Sequence, residues 1–163
     1  MSIQHFCAWL ESTHLATSIR VSTWLFPTIE TIHVLAIVLV VGSIARFDLR
    51  LLNLAYRDRK VSEVYEEVVP WTWVCFSFAA IAGALLFSSH ATTYYHNVPF
   101  RMKMLLLLLS GANTATFQRW TYPTVARWDF EARIPSAAKL AGGLSLVLWI
   151  FIVAFGRWIG FTT

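Results

Sequence analysis

The chain has 163 residues, of which 57% are hydrophobic and only 13% charged, and its mean hydropathy is +0.59. An ordinary soluble domain is roughly 45–50% apolar and about 25% charged, so soluble globular, disordered and disulfide-scaffold classes are excluded. The formal net charge of +4 comes from basic residues dispersed among apolar stretches, which argues against a nucleic-acid partner. One integral membrane domain over 1–163 is expected, with the lipid bilayer as its first partner.

In chain order, Ile3, Phe6, Cys7, Leu10 and Ile19 fall mostly on one helical face. Residues 2–20 are therefore predicted as an amphipathic interfacial helix capped by Ser2. That stretch has no basic n-region and carries Glu11, so a cleavable signal peptide is not expected. Four apolar segments follow at about 24–45, 70–95, 101–118 and 138–160. Crossing about 30 Å of hydrocarbon takes roughly 20 helical residues, and no water is available there to satisfy an open backbone. The predicted class is all-α, a four-transmembrane-helix bundle behind an N-terminal interfacial helix.

The connections carry unequal charge. Arg46, Arg50, Arg57, Arg59 and Lys60 follow the first span, and Arg119, Arg127, Arg133 and Lys139 lie between the third and fourth. Arg20, Arg101, Lys103 and Arg157 occupy the other side. By the positive-inside rule the richer side is cytoplasmic. A bacterial inner membrane with both termini on the outer, periplasmic side is thus expected.

Ionisable residues inside a span are functional candidates by default. Glu30 and His33 stand one helical turn apart in the first span, His90 lies late in the second, and Arg101 and Lys103 open the third. His33 and His90, on spans of opposite direction, are candidate axial ligands of a b-type haem. The bland alternative is a neutral histidine hydrogen-bonded across to another helix. His5, His14, His90 and His96 all fall on the outer side, which leaves copper or zinc as another candidate, because neutral imidazole suits both metals. Glu30 is read first as the ion-pair partner of Lys103 or Arg101, and second as part of a proton relay or quinone-head site. Arg46 and Arg50, one turn apart, suit a lipid phosphate, a haem propionate or a partner acid, but the ordinary positive-inside anchor is the favoured reading. Cys7 and Cys75 show no metal-type spacing, and Cys75 reads as a small buried hydrophobe. Asn113 and its small neighbours read as helix glue, and Gly156 with Gly160 forms a GxxxG compatible with a homodimer.

The run STWLFPTIETIHVLAIVLVVGSIARFDLRLLNLA, followed by PWTW and VPFRMKMLLLLLSGANTATFQRW, resembles a family of four-helix bacterial membrane proteins with no assigned activity. Pro27–Glu30–His33 and Asp48–Leu49–Arg50 are the most specific parts of that likeness. A looser likeness, carried by His33, Gly42 and Lys103, is to copper resistance D-type domains and to haem-containing four-helix membrane oxidases. The resulting expectation is a membrane electron-transfer subunit with one haem b between spans, exchanging electrons with quinol. The alternatives are a non-catalytic accessory subunit of a larger membrane complex and a copper-handling protein.

Overall fold

The computed structural model describes residues 3–129 and 134–162, and every regular element within them is helical. The expected Ser2 cap and Arg133 lie outside those residues. The single interfacial helix expected over 2–20 is two helices, α1 (Ile3–Glu11) and α2 (His14–Val21). Hydroxyls make the break. Ser12 and Thr13 donate back to the carbonyls of Trp9 and Leu10 at 2.7 Å each. Thr13 then accepts from the Ala16 N–H at 3.4 Å and starts α2. Such side chains compete with the helix for its own backbone groups.

Three helices are long and apolar enough to cross a membrane: α3 (Leu25–Leu51), α4 (Val61–Ser89) and α7 (Ser136–Thr162). Between them lie the short α5 (Ala91–His96) and α6 (Val98–Thr116). At 19 residues α6 is not one of the three. Arg101, Lys103 and the polar run from Ser110 to Thr116 dilute its apolar content.

Helix boundaries also move. α4 starts at Val61, well before Pro70, which sits inside it. Val61, Val64, Val68, Ala79, Ala82 and Ser89 are buried at spacings that follow one helix face. On α7 the buried seam is Ala138, Gly142, Ser145, Trp149 and Ile152, the alternating 4–3 step of two helices coiled along each other.

α3 pairs with α4 and α6 with α7, and the two hairpins join through α3 and α7. The backbones of α4 and α6 do not approach closely along their lengths among the described residues, although Phe87 of α4 stacks on Phe100 of α6 at 5.3 Å. One end of the bundle, here the cap end, carries α1, α2 and α5. The opposite, loop end carries the α3–α4 connection. There the N–H groups of Asn53 and Leu54 reach the carbonyls of Arg50 and Leu49 at 3.0 Å each. Asn53 takes a φ of 58°, the left-handed residue that closes a helix in this way. The start of α4 is capped from a distance: Asp129 accepts from the Ser62 N–H at 2.8 Å and from its hydroxyl at 2.7 Å. Around these caps Phe47, Leu51, Val64, Phe117 and Trp128 form the larger core cluster. A smaller one centres on Val40, Trp149 and Ile152, with Cys75 packed against it.

The remaining surface is apolar around the middle of the bundle. Leu35, Val38 and Leu39 of α3, Phe78 and Ile81 of α4, and Ile150 and Val153 of α7 are exposed. Exposed Trp24 and Trp158 stand near the cap end and Trp120 near the loop end, the placement of tryptophan at two membrane–water boundaries.

Candidate functional site

His33 projects from α3 onto α4. Its Nδ1 lies 2.8 Å from the Ala79 carbonyl oxygen. A carbonyl carries no proton, so Nδ1 must donate, and the neutral ring keeps its Nε2 lone pair available. The approach depends on Gly83, one turn beyond Ala79. A Cβ there would lie 2.9 Å from His33 Cε1 and 3.3 Å from Nδ1, closer than carbon atoms can pack. Gly83 thus opens the helix surface and exposes the Ala79 carbonyl to the imidazole.

Lys103 approaches from the other hairpin. Its stem and ammonium lie over Gly156 of α7, where a Cβ would meet Nζ at 3.5 Å and Cε at 3.6 Å. The ammonium stands within electrostatic reach of His33. Lys103 is half-buried and makes no hydrogen bond or ion pair among the described residues. Two helix pairs therefore each contribute one polar side chain and one glycine seat to the same region of the bundle. Gly156, read from sequence as half of a dimer motif, faces Lys103 inside the chain.

The other expected site residues are placed elsewhere. His90 ends α4 with φ −143° and ψ 46°. Its Nδ1 is 3.0 Å from the Ser89 hydroxyl, and its ring meets Phe26 and Tyr94 edge-on at 5.8 and 6.2 Å. His33 touches α4 at the level of Ala79 and Gly83, eleven and seven residues earlier, or about 17 and 10 Å along the axis at 1.5 Å per residue. The two imidazoles are not brought together. The His33 ring lies directly against Gly83 of α4.

Glu30 is exposed and forms no ion pair with Lys103 or Arg101 among the described residues. It lies near Tyr94, whose hydroxyl is pushed up first by burial and then by that carboxylate. Arg101 is exposed. At the loop end Arg46 binds Glu67 through both carboxylate oxygens at 2.7 and 3.1 Å and lies 5.1 Å from the Tyr56 ring centroid. Arg50 is only 2% exposed, and its Nε donates to the Arg59 carbonyl at 2.7 Å. The structure gives each arginine a partner within the chain. One arginine is spent on an internal bidentate pair, and the other is buried as a brace for the α3–α4 connection.

The outer histidines are likewise dispersed. His5 and His96 line one open cleft between α1 and α5, together with Cys7 and Tyr95. His14 lines a different one. No group of three or more His, Cys, Asp or Glu side chains suited to a metal ion occurs among the described residues. The glue reading of Asn113 holds: its Nδ2 donates to the Ala141 carbonyl at 3.0 Å and ties α6 to α7.

Two features were missed in the sequence. Gly83 lies in Ala79-Ala-Ile-Ala-Gly83, a small-xxx-small pattern in an apolar helix, which was the available signal. Asp48, 4% exposed and facing Ser145 of α7, is named in the sequence only within the Asp48–Leu49–Arg50 segment.

These arrangements belong to a helical protein with three helices long and apolar enough to cross a membrane, with half-buried His33 and Lys103 in one region of the bundle. Over residues 6–162 the chain matches the family of unknown function DUF6644, and it belongs to that family. No curated protein and no solved structure matches it. The family match carries no link to copper resistance D-type or haem-containing oxidase domains.

Proposed function

We propose that the protein is a four-crossing membrane protein that binds the polar head of a quinone-type carrier between His33 and Lys103. The fourth crossing is α6, whose 19 residues extend about 28 Å at 1.5 Å per residue, close to the hydrocarbon thickness. Its Met104, Leu105, Leu108 and Leu109 are exposed, as a lipid-facing side would be. The loop end, which carries most of the Lys and Arg, faces the cytoplasm of a bacterial inner membrane.

One observation carries the reading: a half-buried ammonium in the same region of the bundle as His33, with no acid to pair it among the described residues. An isolated charge in a membrane bundle is unfavourable and persists where a ligand uses it. Lys103 can donate to a quinone carbonyl, while the Nε2 of His33 can accept from a quinol hydroxyl. Entry is supported at the seam between α4 and α6, which their backbones leave unpacked.

The test is titration of the purified protein in nanodiscs with a short-chain quinone, read by quenching of tryptophan fluorescence. Saturable quenching is expected, weakened about tenfold or more by Lys103→Met or His33→Phe, the loss of one charge-assisted hydrogen bond. Quenching that never saturates, or that both variants retain, overturns the proposal and favours the accessory-subunit reading.

A second reading keeps haem b and electron transfer, with His33 as the one imidazole ligand. The Nδ1–H bond to the Ala79 carbonyl favours it, because metal-bound histidines are commonly oriented in that way. A reduced-minus-oxidised spectrum of protein produced with haem supplied decides the matter. A Soret and alpha band lost in His33→Ala supports haem, and a colourless protein removes it.

A further inference from the structure

At the loop end, α3 and α7 make their closest approach. A Cβ on Gly142 would meet the Asp48 carbonyl oxygen at 3.2 Å and the Leu51 Cβ at 3.1 Å. A helical side chain leans toward the N-terminus of its helix, so the Asp48 carboxyl is carried into the bundle and away from the nearby surface. There Ser145, one turn further along α7, stands beside it. The carboxyl is almost wholly buried, and its Oδ2 has no hydrogen-bond partner.

The charges around it are only partly engaged elsewhere, for Arg46 Nε and Arg50 Nη1 are also buried without a hydrogen-bond partner among the described residues. On α3, Arg46 holds Glu67 and Arg50 holds the Arg59 carbonyl. From α7 the neighbours are Gly142 and Ser145, while Lys139 one turn away is exposed. On the α6 side, Asn113 is bonded to Ala141 and Arg119 is exposed. Glu63, Glu66 and Glu67 of α4 are exposed, and Glu67 is shared by Arg46 and Arg59. No cation lies within ion-pair distance of Asp48 among the described residues. A bare carboxylate in such surroundings is strongly disfavoured, whereas one neutralised by a small cation is not.

We propose that Asp48 and Ser145 form a binding site for a monovalent cation, a proton or Na⁺, reached from the loop end of the bundle. The carboxylate supplies the charge and the serine hydroxyl orients one of its oxygens, leaving Oδ2 to take the cation. Asp48 stands in the last turn of α3, so exchange with the adjoining water needs only a short path. The site is separate from the His33–Lys103 pair and does not depend on it.

The proposal is tested with a hydrophobic carbodiimide on the full-length protein in lipid vesicles. The reagent adds to a protonated carboxylic acid: the proton goes to one nitrogen and the carboxylate oxygen to the central carbon. The acyl group then shifts to nitrogen and nothing leaves, so the adduct is stable and can be mapped by peptide mass. Modification of Asp48 is expected at acidic pH and should fade as the pH is raised. Added Na⁺ that suppresses labelling at fixed pH identifies a sodium site, and labelling indifferent to Na⁺ but sensitive to pH identifies a proton site. Ser145→Ala should displace the pH profile, and Ser145→Thr should restore it, which a merely structural hydroxyl would not do. Independently, the infrared carbonyl band of a protonated buried carboxyl should be present in the wild type and absent in Asp48→Asn. Absence of both adduct and band, or an adduct whose yield ignores pH and Na⁺ alike, overturns the proposal.

Discussion

At Gly83 the space of one methyl group decides whether His33 can reach α4. In Gly83→Ala the new Cβ would sit 2.9 Å from the imidazole, so the ring must swing away and release the Ala79 carbonyl. Overpacking of this kind costs about 1–3 kcal/mol, and an unfolding titration in detergent should show that loss. Gly42→Ala is the matched control. Its Cβ would meet nothing within 4 Å, and stability should not fall. Lys103 predicts the opposite sign. Replacing an unpaired, half-buried ammonium with an apolar side chain of similar length removes a desolvation penalty, and comparable replacements of buried charge stabilise by about 1–4 kcal/mol. Lys103→Met should therefore raise the unfolding midpoint while weakening quinone binding. A variant that loses both stability and binding would mark Lys103 as a structural residue. The contrast between stability and binding is the signature of a residue kept for function.

At the scale of elements, the cap end is held by few polar contacts, and one of them titrates. Glu11 accepts from both the hydroxyl and the backbone N–H of Thr92 and pairs with Arg20 at 3.1 Å. The Thr92 hydroxyl leads in holding its carboxyl below the ordinary value of 4.5, with the Thr92 N–H and Arg20 adding to it. A carboxyl whose folded value is depressed stabilises the fold above its unfolded value and stops doing so as pH falls through the folded one. Docking of α1 and α2 against α5 should hold at neutral pH and loosen only in acid, below about 4.5. Hydrogen exchange of the α1 and α2 amides measures this directly. Glu11→Gln should raise exchange at neutral pH and abolish the acid dependence, and an unchanged profile would remove Glu11 as the anchor. The same region shows why elements were only partly legible. Hydropathy located α3, α4 and α7 because lipid-facing and core-facing positions are both apolar there. It placed the start of α4 too late because Glu63, Glu66 and Glu67 cover the Val61–Val64–Val68 seam, and because Pro70 resembles a helix start. His33 was legible as an ionisable residue in an apolar run. Its partner was not, since the Ala79–Gly83 notch has meaning only once α3 lies against α4. Arg50 misled for a related reason: sequence shows a charge at a boundary, whereas only packing shows that it points inward.

For the whole molecule, the chain's path makes a prediction that charge then orients. Asn97, ahead of α6, donates to the Thr162 hydroxyl at 2.9 Å, and Glu11 reaches Thr92 beyond the end of α4. The start of α3, the end of α4, the start of α6 and the end of α7 therefore share the cap end. On the proposed four-crossing reading, α6 crosses along with the three longer helices, although its own hydropathy is lower. Arg57, Arg59 and Lys60 lie at the loop end, and translocating them would run against the positive-inside bias. Single cysteines in a background with Cys7 and Cys75 replaced give the test. In intact cells a membrane-impermeant maleimide should label Ser12→Cys and should miss Asp58→Cys until the membrane is opened. A third cysteine at Thr124, in the turn after α6, isolates the crossing of α6: it should behave like Asp58→Cys. Labelling of Thr124→Cys from outside alongside Ser12→Cys would reduce α6 to a helix that does not traverse. It would also put Lys103 at the membrane surface, where an unpaired ammonium is solvated and calls for no ligand.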